Sequence, residues 1–274
     1  MTKKPLEMNR SFWDEAVAVN LGSKFYDVDG FRKGACSLKQ PELDLVGDVT
    51  GKRLLHLQCH FGMDSLSWAR RGAKVTGVDF SPVAIEAAEH LSEETEVAAR
   101  FVCADVTDLD AEFSESFDIV FSSWGVVGWI PDLDRWARNI ARLLAPGGSF
   151  CLAEFHPQAY VFGDRSEGQN LAIAYPYFGN GSFDCEQEQG CYADPAAMFE
   201  HPERCWWTHT MAELLTAFAD RDLQIERFEE LPHCPYGVFP FTVDDGQGMW
   251  RLAADREGLP LSFVLRLGRR GTSG

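Results

Sequence analysis

The chain has 274 residues, 45% of them hydrophobic, which suits an ordinary buried core in one large domain or two small ones. Its 25 Lys and Arg stand against 42 Asp and Glu, and the formal net charge of −17 repels polyphosphate backbones and anionic bilayers. Nucleic acid and membrane are therefore excluded as expected partners, and the short basic run Arg266, Arg269 and Arg270 reads as a solvated tail.

Residues 1–46 hold a helix-prone stretch, NRSFWDEAVAVNLG, and a loop, FYDVDGFRKGACSL; together they read as a cap segment too short to be a separate domain. The opening MTKKPLEMNRSFWDEA has positive charge without the apolar core of a signal peptide, and no stretch is long and apolar enough for a membrane span, so the expected location is the cytoplasm. From 47 to 156, short apolar runs alternate with helix-period segments, the pattern of a parallel sheet with helices on both faces. RLLHLQ, AKVTGVDF, ARFVCADV, FDIVFSS and GSFCLAEF are the five strands. A helix follows Gly62, a second starts at Ser81–Pro82 with an N-cap hydroxyl and a pre-set first residue, and a third places Leu133, Trp136, Ala137, Ile140 and Leu144 on one face.

The rhythm changes after the fifth strand. Residues 157–208 are rich in aromatics, Gly, Asn and Pro, and so long an irregular insertion reads as a functional lid. Residues 209–274 supply the helix THTMAELLTAFADRD and two last strands, QIERFEEL and LPLSFVLRL, expected as an antiparallel pair at or near the sheet edge. The fold class is thus α/β, a doubly wound, seven-stranded, mostly parallel sheet with a lid inserted after the fifth strand.

Chemistry concentrates in the turn LQCHFG. A strand that bends tightly into a helix presents unpaired amides and a positive helix end, suited to a carboxylate or phosphate, and Gly62 allows the closest approach. Asp79 ends the second strand, where a carboxylate accepts hydrogen bonds from both ribose hydroxyls; the bland alternative is a plain turn with a surface Asp. Gln58 and His60 occupy two places where a dinucleotide fingerprint has glycine, and their side chains would crowd a pyrophosphate. An amino-acid tail needs less room, with its carboxylate on amides near Gly62 and Met63. The ligand that joins adenosine to such a tail is S-adenosyl-L-methionine.

Through HLQCHFG, GVDFS, CADVTDL, FDIVFSSWGVVGWIPDL and LLAPGGSF the chain resembles class I S-adenosylmethionine-dependent methyltransferases, and more narrowly a bacterial small-molecule branch with an LQCHFG-type first motif. The resemblance covers about residues 50 to 156 and implies a Rossmann-like methyltransferase fold. It implies that Asp79 binds ribose, Phe80 lies against adenine, the Asp105 carboxylate meets the adenine amino group, the Val106 amide meets a ring nitrogen, and Ser122 and Ser123 line the methionine side. Asp105 also has a bland reading as a strand-end carboxylate. His56 stands where the family has an acid, and the Gln58 amide is the candidate replacement for the contacts the missing glycines leave open.

For the transfer itself, His156 after the fifth strand is the first candidate for base or acceptor contact, against a loop histidine that only bonds backbone. His209 is the second, beside the possible N-caps Thr208 and Thr210. Aromatic candidates to line an acceptor site are Trp124, Tyr160, Tyr175, Tyr177 and Trp207, with the alternative that the insertion's aromatics are its own small core. Trp13, Tyr26, Phe31 and Arg32 are expected to fold over the cofactor, Arg32 pairing with its carboxylate. Eight cysteines without paired spacing read as reduced, mostly buried thiols, and the loose set Cys185, Cys191, His201, Cys205, His209, His233 and Cys234 lacks zinc-site spacing, so no metal is expected. The function expected is methyl transfer to an O or N atom of a small metabolite by a monomer or a homodimer. The rival is a non-catalytic adenosine-ligand or regulatory module with a degenerate fold, and an NAD oxidoreductase is a distant third.

Overall fold

A computed structural model describes residues 4–109, 113, 116–162, 171–179, 181–187, 189–219, 221–246, 248–253 and 258–269. Arg270, in the basic run noted above, and residues 163–170, 180 and 188 of the insertion lie outside the described residues.

Three helices, α1 (Lys4–Gly22), α2 (Val28–Arg32) and α3 (Gln40–Val46), precede the sheet. Then β1 (Arg53–Leu57), α4 (Met63–Arg70), β2 (Lys74–Asp79), α5 (Pro82–Thr95), β3 (Arg100–Cys103), β4 (Phe117–Ser123), α6 (Leu133–Leu143) and β5 (Leu144–Phe155) alternate as the pattern requires. Ser81 Oγ accepts from the Ala84 amide at 3.0 Å and caps α5. The predicted helix stops earlier than its periodicity suggests: Leu144 already pairs with Phe117 in the sheet. Pro146 forces the residue before it out of the helical region, so the chain extends before the glycines.

The main sheet has the order β3-β2-β1-β4-β5-β12-β8, with β8 (Leu223–Leu231) and β12 (Ser262–Arg269). Pairs from β3 through β5 are parallel, while β12 is antiparallel to both β5 and β8, so β12 alone is reversed. Helix α6 buries Trp136 and Ile140 on one face of the sheet with α7 (Met211–Ala219), and α3 and α4 cover the other with Leu45 and Trp68. Each such fully buried aliphatic or aromatic side chain contributes roughly 1.5–3 kcal/mol.

The flanking segments depart from the sequence reading in two respects. The cap splits: α3 joins the sheet layer, packing on β5 and β12, whereas α1 packs on β7 (Glu203–Trp207) of the insertion and on α5. The insertion contains a hairpin of β6 (Phe183–Gln187) and β7, and between β8 and β12 the chain forms a small antiparallel sheet of β9 (His233–Cys234), β10 (Thr242–Asp244) and β11 (Trp250–Leu252) that the sequence did not suggest. These strands are two or three residues long, too short for any hydrophobic period to show.

Candidate active site

The carboxyl ends of β1 to β5 open into a cavity of about 740 Å³, within the range of roughly 300–1,000 Å³ usual for small-molecule sites. Its floor is the turn after β1. Gln58, His60 and Gly62 all have positive φ, at 57°, 50° and 83°. The left-handed path that glycines usually take is therefore kept by two residues with side chains, at a cost of roughly 1–2 kcal/mol each. Their own bonds hold it: Gln58 Nε2 donates to Val126 O at 3.0 Å, and His60 Nε2 is 2.9 Å from Asn20 Nδ2. Asn20 Oδ1 faces the Cys191 thiol, so the amide nitrogen donates to His60. Gly62 has no such freedom, since a Cβ there would lie 2.8 Å from both Ala88 Cβ and Phe101 Cζ.

The β2 end locks onto this turn. Asp79 Oδ2 accepts from the His60 amide at 2.8 Å and Oδ1 from the Ser81 amide at 3.0 Å. Burial pushes the carboxyl up to about 6, against the pull of those amides. Beside it Phe80 lines the cavity, with the Arg10 guanidinium of α1 at 5.9 Å from its ring centroid. Asp105 lines the same wall and uses one oxygen to accept from Thr107 N and Oγ1 at 2.8 and 2.7 Å, and Val106 is anchored through its carbonyl by Asn139 Nδ2 at 3.0 Å.

At the β1 and β4 ends, His56 bonds Ser65 Oγ through Nδ1 at 2.8 Å, and burial holds it at about 3; His60 is also held at about 3 by burial. Both are neutral, so neither sets a positive charge beside the floor. Ser123 lines the cavity, whereas Ser122 does not: it is fully buried with its hydroxyl 3.4 Å from Leu57 O. Alternation along β4 explains this, because successive side chains point to opposite faces.

Residues 55–152 match the family model described as a methyltransferase domain. The ubiquinone biosynthesis O-methyltransferase of Xanthomonas oryzae pv. oryzae (strain PXO99A) is 35% identical over 145 residues, 52% of this chain and 60% of that protein. The like-named protein of Chromobacterium violaceum is 31% identical over 131 residues, 47% and 56% of the two chains. The chain thus spans somewhat over half the length of these curated relatives. Among solved structures, an S-adenosylmethionine-dependent methyltransferase from Mesorhizobium loti superposes with a TM-score of 0.60 at 22% identity, covering 87% of this chain and 100% of that one. Residues 55–152 thus carry a methyltransferase domain, and the fold around them is the one shared by S-adenosylmethionine-dependent methyltransferases of known structure.

The methyltransferase domain's cofactor fits the residues at this floor. Gln58 Oε1 is buried with no hydrogen-bond partner, an acceptor left for a donor from a ligand, and Asp79 offers a carboxylate at the sheet edge where ribose hydroxyls are read. The left-handed turn brings Gly62 and Met63 into the wall at the start of α4.

The far end of the cavity is roofed by distant parts of the chain. Asn9 of α1 donates to Cys205 O and accepts from Cys205 N, both at 2.7 Å, as a neighbouring strand would. Glu15 takes the amides of Glu200 and His201 at 2.7 and 3.1 Å, and Tyr26 and Tyr192 meet through their hydroxyls. Trp124, Tyr160, Tyr175 and Trp207 line the cavity with Trp13, Tyr26 and Phe31. Tyr177 does not; its hydroxyl accepts from the Met211 amide at 3.2 Å, at the start of α7. Arg32 is also elsewhere, paired on the surface with Asp29 and Glu94 at 3.1 and 3.0 Å, where the acids of its own turn and of α5 hold it.

The two histidines exchange ranks. His156 lies outside the cavity, 5% exposed, with Nδ1 accepting from the Gln158 amide at 3.1 Å and Nε2 3.0 Å from Glu230 Oε1. Both ring nitrogens are engaged, one by the loop that follows β5 and the other by Glu230 of β8. His209 does line the cavity. Its Nε2 lies 2.7 Å from Ile130 O, which fixes the proton there and leaves Nδ1 as the acceptor; burial lowers its pKa and keeps it neutral.

Glu154 is the functional residue the sequence reading passed over. Fully buried at the end of β5, it accepts from the amides of Gly125, Val126, Val127 and Phe155 at 2.6 to 2.9 Å. It thereby fixes the loop whose Trp124 and Gly125 both have positive φ and whose carbonyls hold Gln58 and His209. An acid inside SFCLAEF was the visible signal, since a carboxylate is seldom buried without several donors.

The cysteines correct an expectation. Cys185 and Cys205 are joined as a disulfide across the β6–β7 hairpin, where they stand directly opposite. Cys36 and Cys103 are exposed, and Cys59, Cys151 and Cys234 are buried free thiols. Among the described residues no three His, Cys, Asp or Glu side chains gather as a metal site, and no helix is long and apolar enough to cross a membrane.

Proposed function

We propose that this chain methylates a hydroxyl oxygen of a small-molecule metabolite. The curated relatives are O-methyltransferases by name, and a net charge of −17 keeps polyanions away from the cavity. When bound, the cofactor supplies a methyl group activated on a positively charged sulfur. The chain's residues do the rest: Asp79 anchors the ribose, Phe80 and Asp105 flank the adenine, and Gln58 Oε1 takes a donor of the amino-acid tail. The aromatic roof excludes water, which an in-line displacement at carbon requires.

The observation that carries the oxygen assignment is His209. A hydroxyl acceptor must lose its proton, and His209 is a neutral imidazole in the cavity wall with its tautomer fixed by Ile130 O. The test is transfer of labelled methyl from S-adenosylmethionine to a panel of phenols and catechols, for the parent and for His209→Ala. Label in an ether product that disappears in the variant, with S-adenosylhomocysteine affinity preserved, is the expected result; equal turnover by both proteins would overturn the base assignment.

A further inference from the structure

The β1 end of the floor holds no charge for the polar end of the cofactor. His56, where the methyltransferase resemblance places an acid, is neutral and bonded to Ser65, and Gln58 Oε1 is an uncharged acceptor buried without a partner. Two charged groups stand nearby: Asp64, second residue of α4, and Lys39, the residue before α3, both line the cavity. The loop between α2 and α3 brings them to one wall. Ser37 donates through its amide to Ser67 Oγ of α4 at 3.2 Å and through its hydroxyl to Asp64 Oδ1 at 2.5 Å, and the Lys39 amide donates to Glu42 Oε2 at 2.6 Å at the start of α3.

The charge of Lys39 acts on Asp64, yet its ammonium makes no ion pair among the described residues and lies over the Tyr236 ring, 5.2 Å from the centroid. Burial pushes the Asp64 carboxyl up, while the Ser37 hydroxyl, the Lys39 charge and the Ser123 hydroxyl pull it back. Glu42 is pushed up to about 8, by burial first and Asp64 second, so it is uncharged at neutral pH. The wall therefore offers one acid and one ammonium group, the complement of a zwitterion.

Position in the sheet says which zwitterion. In the reading above, Asp79 and Asp105 put the nucleoside at the ends of β2 and β3. Asp64 lies across β1 from them, with Oδ2 3.4 Å from Ser123 Oγ at the end of β4. Ser123 shares its sheet face with Ile119 and Phe121, which pack with Leu45 of α3 and Trp68 of α4. His209 belongs to the other face, bonded to Ile130 ahead of α6 and two residues ahead of α7. The three substituents of a sulfonium diverge, and an in-line displacement keeps acceptor, methyl carbon and sulfur in a row. With the methyl group turned toward His209, the amino-acid tail points to the opposite face, where Asp64 and Lys39 stand.

We propose that Asp64 and Lys39 bind the cofactor's α-amino-acid group, Asp64 taking its ammonium and Lys39 its carboxylate, so that the charge missing from the β1 end is supplied from α4 and from the loop before α3. This rests on the transferase reading above. Ser37 and Ser123 aim the Asp64 carboxylate, and Gln58 Oε1 takes another hydrogen of the same ammonium.

The test is calorimetric binding of three compounds to the full chain: S-adenosylhomocysteine, its decarboxylated form, which keeps the ammonium alone, and 5′-methylthioadenosine, which has no amino-acid tail. The parent should bind S-adenosylhomocysteine about tenfold or more tighter than 5′-methylthioadenosine, the scale of a hydrogen bond to a charged group. Asp64→Asn and Lys39→Met should each forfeit about tenfold for S-adenosylhomocysteine and stay within twofold of the parent for 5′-methylthioadenosine. The decarboxylated form should be weakened by Asp64→Asn and not by Lys39→Met. A parent that binds S-adenosylhomocysteine and 5′-methylthioadenosine equally overturns the proposal without any variant. So do variants that keep the parent's affinity for S-adenosylhomocysteine, and variants that weaken both nucleosides alike, which would mark the two residues as structural. A parent that binds none of the three would refute the transferase reading itself and take this proposal with it.

Discussion

The two ends of the cavity, proposed above to take the nucleoside and the methyl acceptor, are built by different means. The nucleoside end comes from neighbours in the chain: Asp79 meets the amide of His60, 19 residues before it, and that of Ser81, two after. The acceptor end is assembled across the whole fold, with Asn9 bonded to Cys205, 196 residues away, and His209 to Ile130, 79 away. The local end depends on backbone path and one carboxylate, so it tolerates odd side chains in its turn. The distant end depends on several segments docking together, so its chemistry is exposed to any change in that docking.

The sharpest way to break this contrast is the pair of histidines. His209→Ala should lower kcat by roughly 10²- to 10⁴-fold, the usual value of a positioned base, and leave S-adenosylhomocysteine affinity unchanged in a calorimetric titration. His156→Ala should leave kcat within a factor of about three and lower Tm, because it removes two partly buried hydrogen bonds of roughly 1 kcal/mol each. A reversed pattern would put the base on the wrong side of β5.

Asp79→Asn should weaken S-adenosylhomocysteine by roughly 10- to 100-fold, since hydrogen bonds to a charged acceptor are worth roughly 1.5–3 kcal/mol. The same carboxyl predicts a pH profile. Its pKa in the free protein is raised to about 6, and only the ionised form accepts from both ribose hydroxyls. Affinity should therefore be flat above about pH 7 and fall up to tenfold per pH unit below about 6; the Asn variant should lose that dependence. An unchanged acid limb in the variant would assign it to another group.

Glu154→Gln probes the joint between the two ends. It keeps the shape but replaces one acceptor oxygen by a donor facing amides that also donate, so Tm should fall by the equivalent of about 2–3 kcal/mol. Both cofactor affinity and kcat should suffer, because the loop it fixes holds Gln58 and His209. Asn9→Ala should have the smallest effect, raising the acceptor KM several-fold at constant S-adenosylhomocysteine affinity, as the roof loses its clasp on α1. Loss of cofactor binding there would show that the roof also shapes the nucleoside end.

The same contrast sets what could be read from the sequence. The alternation of apolar runs located β1 to β5, and the spacing from LQCHFG to Asp79 singled out the turn and its acid, because both are consequences of local periodicity. Place in the sequence ranks His156 ahead of His209, and only tertiary packing, which engages His156 with Glu230 and brings His209 into the cavity wall, reverses that order. Tyr177, Arg32 and Ser122 were misplaced for related reasons: each finds a partner in a packed element instead of the cavity.

Gln58 and His60 hold their left-handed backbone without glycine, and the effect reaches the disordered chain as well. A residue with a Cβ samples fewer conformations when unfolded, so fixing it forfeits less disorder than fixing a glycine. The strain is a standing cost in the native state, but the floor arrives already stiff. A ligand settling on it has little motion to quench, which favours fast capture over a tightening that follows contact.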